Sequence, residues 1–157
     1  MSWYGVLRVA HSYWRWAVLL AGAIVAVRAL TGVWQRREWT QADERAARLF
    51  VSTVDVQFLL GVVLYFGFSP FWSAIYYSFS ETMRDQGSRF FGIEHQTAMA
   101  LGITAAHVAW ARVSRTPRTP ASHRVMLAGL LVFSVFVLWA IPWPWRPYGR
   151  PLFRTEW

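Results

Sequence analysis

The sequence predicts an all-α membrane protein in which four transmembrane helices form an up-and-down bundle, with an interfacial segment between helices 2 and 3. Hydrophobic residues make up 55% and aromatic residues 18% of only 157 residues, which is too apolar for a water-soluble domain of this length. The apolar residues fall into four runs, each long enough to cross a bilayer. Most arginines lie between these runs. We therefore expect one integral membrane domain, residues 1–157.

The predicted spans cover about 6–33, 46–68, 90–112 and 122–141, followed by a surface tail at 142–157. The first run continues past the length of a signal-peptide core, so we interpret it as a membrane helix and not as a cleavable signal. Before the second span, Thr40 with Asp43 three residues later is typical of a helix start. Ser69 and Pro70 are expected to end the second span.

The connection between the second and third spans, residues 71–89, reads FWSAIYYSFSETMRDQGSR. It is aromatic first and polar afterwards, which is typical of an interfacial helix or an ordered loop at headgroup level. Two prolines, Pro142 and Pro144, end the fourth span. The tail that follows, rich in Pro, Trp and Arg, suits an extended segment on the membrane surface or against a partner.

The formal charge is +8, and all 16 basic residues are arginines. Eight of them belong to the first and third connections and six to the opposite side. This pattern is typical of charges that orient a membrane protein, so we expect a lipid bilayer and no nucleic acid as partner, with both termini periplasmic. The absence of cysteine excludes disulfides, thiolate metal sites and covalently attached c-type haem.

The histidines sort by predicted depth into two pairs. His11 and His95 lie toward the outer face, and His107 and His123 toward the inner face. Paired histidines on different helices of a bundle hold b-type haem through both axial positions. The first and third spans are diagonal neighbours, whereas the adjacent third and fourth spans pack at about 8–10 Å, too close for two imidazoles and an iron. We therefore predict His11 and His95 as metal ligands.

Two arginines flank His11 on its own helix face. Arg8 and Arg15 lie three residues before it and four after it, so they would pair with haem propionates. His107 is a further candidate cofactor-binding residue. It would need a partner other than that of His95, because twelve residues rotate it by about 120°.

Each of these residues also has a purely structural interpretation. His11 would then anchor among lipid headgroups, and His95 would be a buried histidine in a hydrogen-bonded network. Glu94 would neutralise Arg15 or orient a histidine. For His123, beside the basic connection, we expect a headgroup contact and no chemistry.

Asp55 lies within the second span, where a charged side chain needs a partner. Its predicted depth matches that of Arg28, so we expect an ion pair between them. The functional alternative is a proton or quinone site formed by Asp55, Gln57 and His107.

Several segments resemble those of small bacterial four-helix integral membrane proteins of the cytochrome b-like family. These segments are AHSYWRW, DVQFLLGVVLYF, RFFGIEH followed by AHVAWAR, and IPWPWRPYGRPLFR. The resemblance covers nearly the whole chain and implies the four-span fold, a bacterial inner (cytoplasmic) membrane and haem, with His11, His95 and His107 at matching positions. The spacing departs from the two-haem bundle, in which stacked ligands share one helix face, so we expect one haem b.

The leading hypothesis is a membrane b-type cytochrome that passes electrons between a quinone and a redox partner, an electron-transfer protein more than an independent catalyst. The alternative is a cofactor-free accessory subunit that packs against a larger respiratory or photosynthetic membrane complex. The tail and residues 71–89 suggest such docking. A proton-coupled transporter is the third option, although four short spans leave little room for alternating access.

Overall fold

The computed structural model describes residues 2–154, and this part of the chain is helical without a strand. The α-helices are α1 (Trp3–Gln35), α2 (Gln41–Val62), α3 (Pro70–Tyr77), α4 (Phe79–Arg84), α5 (Gln86–Arg89), α6 (His95–Arg115) and α7 (Pro120–Ala140). Two π-helical segments accompany them: Val63–Phe68 continues α2, and Phe90–Glu94 leads into α6. The expectation of an all-helical protein is confirmed.

Three helices among the described residues are long and apolar enough to cross a membrane. They are α1, α7 and α2 together with its π-helical continuation to Phe68. The helix α6 is not one of them. Its polar side chains, among them His95, Gln96 and Arg112, lower its mean hydropathy. The protein is therefore helical with several apolar helices of membrane-spanning length.

Local hydrogen bonds fix both ends of α1. Ser2 caps its start, since the side-chain oxygen accepts from the Gly5 N–H at 3.1 Å. At its end Arg36 adopts a left-handed conformation with φ 51°, and the N–H of Arg37 donates to the Gly32 carbonyl at 3.2 Å. This tight turn reverses the chain so that α2 packs back along α1.

The turn into α2 is built around Asp43, whose side chain is fully buried. Thr40 and Asp43 form a reciprocal capping box, as predicted. Arg28 Nε donates to Asp43 Oδ1 at 2.8 Å, and Arg37 Nη1 donates to Asp43 Oδ2 at 2.5 Å. The expected ion pair between Arg28 and Asp55 is therefore wrong, because the first turn of α2 lies beside Arg28 and satisfies it.

The second connection starts as predicted. Ser69 caps α3 and Pro70 is its first residue, so the second apolar helix ends at Phe68. Three short helices then lead to the second π-helical segment. There Arg89 Nε donates to Glu94 Oε1 at 2.7 Å, so Glu94 is paired with its own segment and not with Arg15.

The long helices pack through small residues. Helix α7 lies along α6 and also against α1, and α6 meets α2. At the α6–α7 contact Gly129 faces Ala109 and the carbonyl of Ala105 so closely that a Cβ on the glycine would overlap them. Lipid is as apolar as a hydrophobic helix surface, so helices in a bilayer associate through the close packing that small residues allow.

His123 is completely buried and does not contact headgroups, so that expectation is wrong. Its ring packs against Trp39 with centres 4.9 Å apart, and it fills the space that the missing side chain of Gly32 leaves on α1. The first turn of α7 is thereby fixed against the end of α1.

Candidate functional site

A cavity of about 380 Å³ lies between α1, α2 and α6, with the chain after α7 covering one side. Most of its lining is apolar, with a smaller share of polar side chains. The apolar lining includes Phe58, Leu64, Met99, Ile103, Phe133 and Val137. Its size and composition are those of a site for an organic cofactor or ligand.

The two histidines predicted as ligands meet in this cavity. The ring centres of His11 and His95 are 6.4 Å apart, with the planes inclined by 68°. Two metal–nitrogen bonds of about 2.0 Å, each extended by roughly 1.1 Å from nitrogen to ring centre, would separate coordinating imidazoles by roughly 6.2 Å. The observed distance between the ring centres is close to this value.

His95 is held in the tautomer that a ligand needs. Its Nδ1 lies 2.8 Å from the carbonyl oxygen of Ala140. Because a carbonyl only accepts, Nδ1 carries the proton and Nε2 keeps its lone pair. A ring N–H donated to a backbone carbonyl is the usual second interaction of a metal-binding histidine.

His11 is oriented by Gln57 of α2. The Gln57 Nε2 atom donates to the His11 carbonyl at 3.1 Å and approaches His11 Nε2 at 3.2 Å. The bond to the carbonyl fixes the direction of the amide, so the imidazole Nε2 accepts and Nδ1 carries the proton. That Nδ1 is buried and has no hydrogen-bond partner among the described residues. Metal binding through His11 Nε2 requires the Gln57 amide to turn away.

Four arginines line the same cavity: Arg8, Arg15, Arg150 and Arg154. No aspartate or glutamate between residues 2 and 154 lines it with them. The Nε atoms of Arg8 and Arg15 are buried and unpaired within the described chain. Burial, and after it the charges of Arg8 and Arg150, lower the pKa of Arg154. A cationic cluster with no carboxylate beside it in the described part of the chain suits an anionic ligand group.

The tail folds back onto α1 as far as it is described. Arg15 Nη2 donates to the Leu152 carbonyl at 2.8 Å, and Phe153 stacks on Trp16 with ring centres 5.4 Å apart. These contacts bring Arg150 and Arg154 to the cavity. Leu152 and Phe153 of the tail therefore contact α1, whereas the tail was predicted to lie on the membrane surface or against a partner. Residues 155–157 of the predicted tail lie outside the described part of the chain.

His107 does not line the cavity. Its Nε2 lies 2.9 Å from Asp55 Oδ1, and its Nδ1 lies 3.0 Å from the Ile103 carbonyl. Gln57 does not contact this pair, because a step of two positions along α2 places its side chain about 200° around the helix from that of Asp55. The three residues of the predicted proton or quinone site are therefore divided between two locations.

Sequence reasoning missed three contributors to the cavity. Gln57 is predicted to join Asp55 and His107 in the alternative proton or quinone site, and its contact with His11 is not predicted. The arginines Arg150 and Arg154 were assigned to a surface tail. Their spacing of four, with aromatic Phe153 between them, was the available signal for an ordered segment.

No protein-family model, curated protein or solved structure matches this chain.

Proposed function

We propose that this protein is a membrane b-type cytochrome with one haem b between α1 and α6. The observation that carries the proposal is the 6.4 Å spacing of the His11 and His95 rings, with the lone pair of His95 Nε2 kept available by Ala140. In this proposal α6 is the fourth membrane span. His95 and Gln96 line the cavity and His107 pairs with Asp55 of α2, whereas exposed Arg112 lies near the helix end, at headgroup depth.

The residues around the cavity fit a haem. His95 and His11 would supply two imidazoles, and the apolar lining would accommodate the macrocycle. Arg8 and Arg15, with buried unpaired Nε atoms, would bind propionates through charge-assisted hydrogen bonds. A haem with both axial positions filled by protein exchanges single electrons. The protein residues would orient the two imidazoles, exclude water from the cavity and balance the negative charge of the propionates.

The proposed role is electron transfer between a quinone in the bilayer and a redox partner, in a bacterial inner membrane with both termini periplasmic. Two features support a membrane electron carrier: the apolar helices of spanning length, and a cavity whose ligand-bearing residues come from α1 and α6. His11 and His95 are partly buried and line the cavity, so a haem bound there would limit the access of water to the ligands.

The test is the visible absorption spectrum of the detergent-purified protein, expressed with haem available and recorded before and after dithionite. We expect the sharp reduced α-band of a six-coordinate haem b, at a haem content near one per chain. A flat spectrum from a folded, monodisperse protein would overturn the proposal. It would transfer support to the cofactor-free accessory subunit, which should then be isolated as a colourless component of a larger assembly.

A further inference from the structure

A second polar site lies outside the cavity, where α2 meets α6. Asp55 Oδ1 and His107 Nε2 are 2.9 Å apart, and the Ile103 carbonyl lies 3.0 Å from His107 Nδ1. The two side chains are 49% and 42% exposed, respectively. This pair therefore joins two helices but is open on its outer side.

Apolar side chains adjoin the pair on both helices. Exposed Leu59 lies one turn after Asp55 on α2, and exposed Val108 follows His107 on α6. Asp55 lies near the middle of the apolar helix Gln41–Phe68, which is long enough to cross a membrane. In a bilayer the open side of the pair would face hydrocarbon, where an unsatisfied carboxylate is costly.

Asp55 retains hydrogen-bonding capacity at this open side. Its Oδ1 faces His107, whereas its Oδ2 has no hydrogen-bond partner among residues 2–154. The missing partner must be a donor, because a carboxylate oxygen accepts. It must also arrive through the lipid, because the pair opens between lipid-facing side chains. A carboxylate repels an anionic ligand, so an uncharged, membrane-soluble donor is required.

We infer that Asp55 and His107 form a binding site for the head group of a quinol. A quinol hydroxyl donates to Asp55 Oδ2, and the apolar side chains of α2 and α6 contact the ring and its hydrocarbon chain. The choice of quinol as the ligand class rests on the proposed electron-transfer function. The need for a hydrogen-bond donor follows from the open Asp55 oxygen, and its arrival through the lipid follows from the placement of α2 and α6 in the bilayer. The site is separate from the cavity, since neither side chain of the pair lines it.

The experiment measures equilibrium binding of decylubiquinol to the full chain in lipid nanodiscs under anaerobic conditions, corrected for partitioning into empty nanodiscs. Three proteins are compared: wild type, D55N and T104A. The D55N variant keeps the shape and one oxygen, but it replaces the other oxygen with a donor. Thr104 is the matched control, because it is exposed on α6 and its hydroxyl bonds within its own helix to the Ala100 carbonyl.

We expect saturable binding to wild type and T104A, and a dissociation constant at least tenfold higher for D55N. Equal binding to wild type and D55N, or only unsaturable partitioning, would overturn the inference. A change from dimer to monomer in D55N without quinol binding would also overturn it and assign this face to a second copy.

The haem spectrum of the same samples separates the two proposals. Quinol binding that depends on Asp55 in a protein without haem would support this inference while overturning the cytochrome. Haem present in wild type and D55N alike, with quinol binding equal in both, would leave the cytochrome intact and overturn the quinol site.

Discussion

The ring of His95, the first residue of α6, donates a 2.8 Å hydrogen bond to the carbonyl of Ala140, the last residue of α7. This carbonyl has no partner in its own helix, because it belongs to the final turn. One bond thus satisfies the end of α7 and fixes the tautomer of His95. It also couples the orientation of the proposed ligand to the packing of α6 against α7.

Replacing His95 by Ala should remove haem without preventing membrane insertion, because the cavity would lose the imidazole whose Nε2 keeps its lone pair. We expect at least a tenfold decrease in haem per protein, measured from the reduced-minus-oxidised spectrum of purified samples. His107→Asn on the same helix is the control and should retain wild-type haem content. Full haem content in His95→Ala would contradict the ligand assignment.

Replacing Arg8 or Arg15 by Gln should weaken haem binding, because each change removes a charged donor from a cavity that has no carboxylate in the described chain. Hydrogen bonds to charged groups contribute about 1.5–3 kcal/mol, so we expect a roughly tenfold or larger increase in the haem dissociation constant. Titration of the haem-free protein measures it. Arg112→Gln, an exposed change near the far end of α6, should leave the constant unchanged; an equal loss there would contradict the prediction.

The contact between α6 and α7 should not tolerate a larger residue at Gly129. A Cβ there would lie 3.1 Å from the Ala105 carbonyl oxygen and would overlap the Cβ of Ala109, neither of which can rotate away. Overpacking of this kind costs about 1–3 kcal/mol. We expect Gly129→Ala to lower the free energy of unfolding by that amount in a mixed-micelle SDS titration.

Gly67→Ala is the matched control for this substitution, because nothing lies within 4 Å of a Cβ at Gly67. Its free energy of unfolding should remain within about 1 kcal/mol of wild type or increase, since alanine favours helical backbone more than glycine does. Equal destabilisation by both substitutions would contradict a specific role of the α6–α7 contact at Gly129.

Removal of the Asp43 carboxylate should destabilise the turn between α1 and α2. Asp43→Ala would leave Arg28 and Arg37, with side chains only 34% and 27% exposed, without their anionic partner. Loss of one partner from a fully buried ion pair costs about 3–5 kcal/mol. Because the two arginines are partly exposed to solvent, we expect a smaller decrease in the free energy of unfolding, of about 2–3 kcal/mol. The same SDS titration measures this decrease.

Glu44→Ala serves as the comparison for Asp43→Ala. Glu44 pairs with the exposed arginines Arg48 and Arg118, so its removal should cost under about 1 kcal/mol. A loss for Asp43→Ala no larger than that for Glu44→Ala would contradict the structural role of the buried carboxylate.

The features that the sequence could predict depend on neighbouring residues. Thr40 with Asp43 specifies the start of α2, and Ser69 followed by Pro70 specifies the end of its π-helical continuation. Long apolar runs predict helices of spanning length. The meeting of His11 and His95 was also predictable, because the rise per residue in a helix converts sequence position into depth.

Only the tertiary structure decided which side chains the polar residues contact. Arg28 binds Asp43 and not Asp55, and His123 is buried and not at a headgroup, although sequence position allowed either outcome.

The physical reason is that depth along a helix follows from counting residues, whereas the direction of a side chain depends on how each helix is rotated against its neighbours. Only one residue lies between Asp55 and Gln57, yet their side chains belong to different sites on opposite faces of α2. The sequence by itself determined the long helices to within a few residues, because periodicity and capping are local, but it did not specify the three short helices between α2 and α6. Only packing decided which polar groups meet.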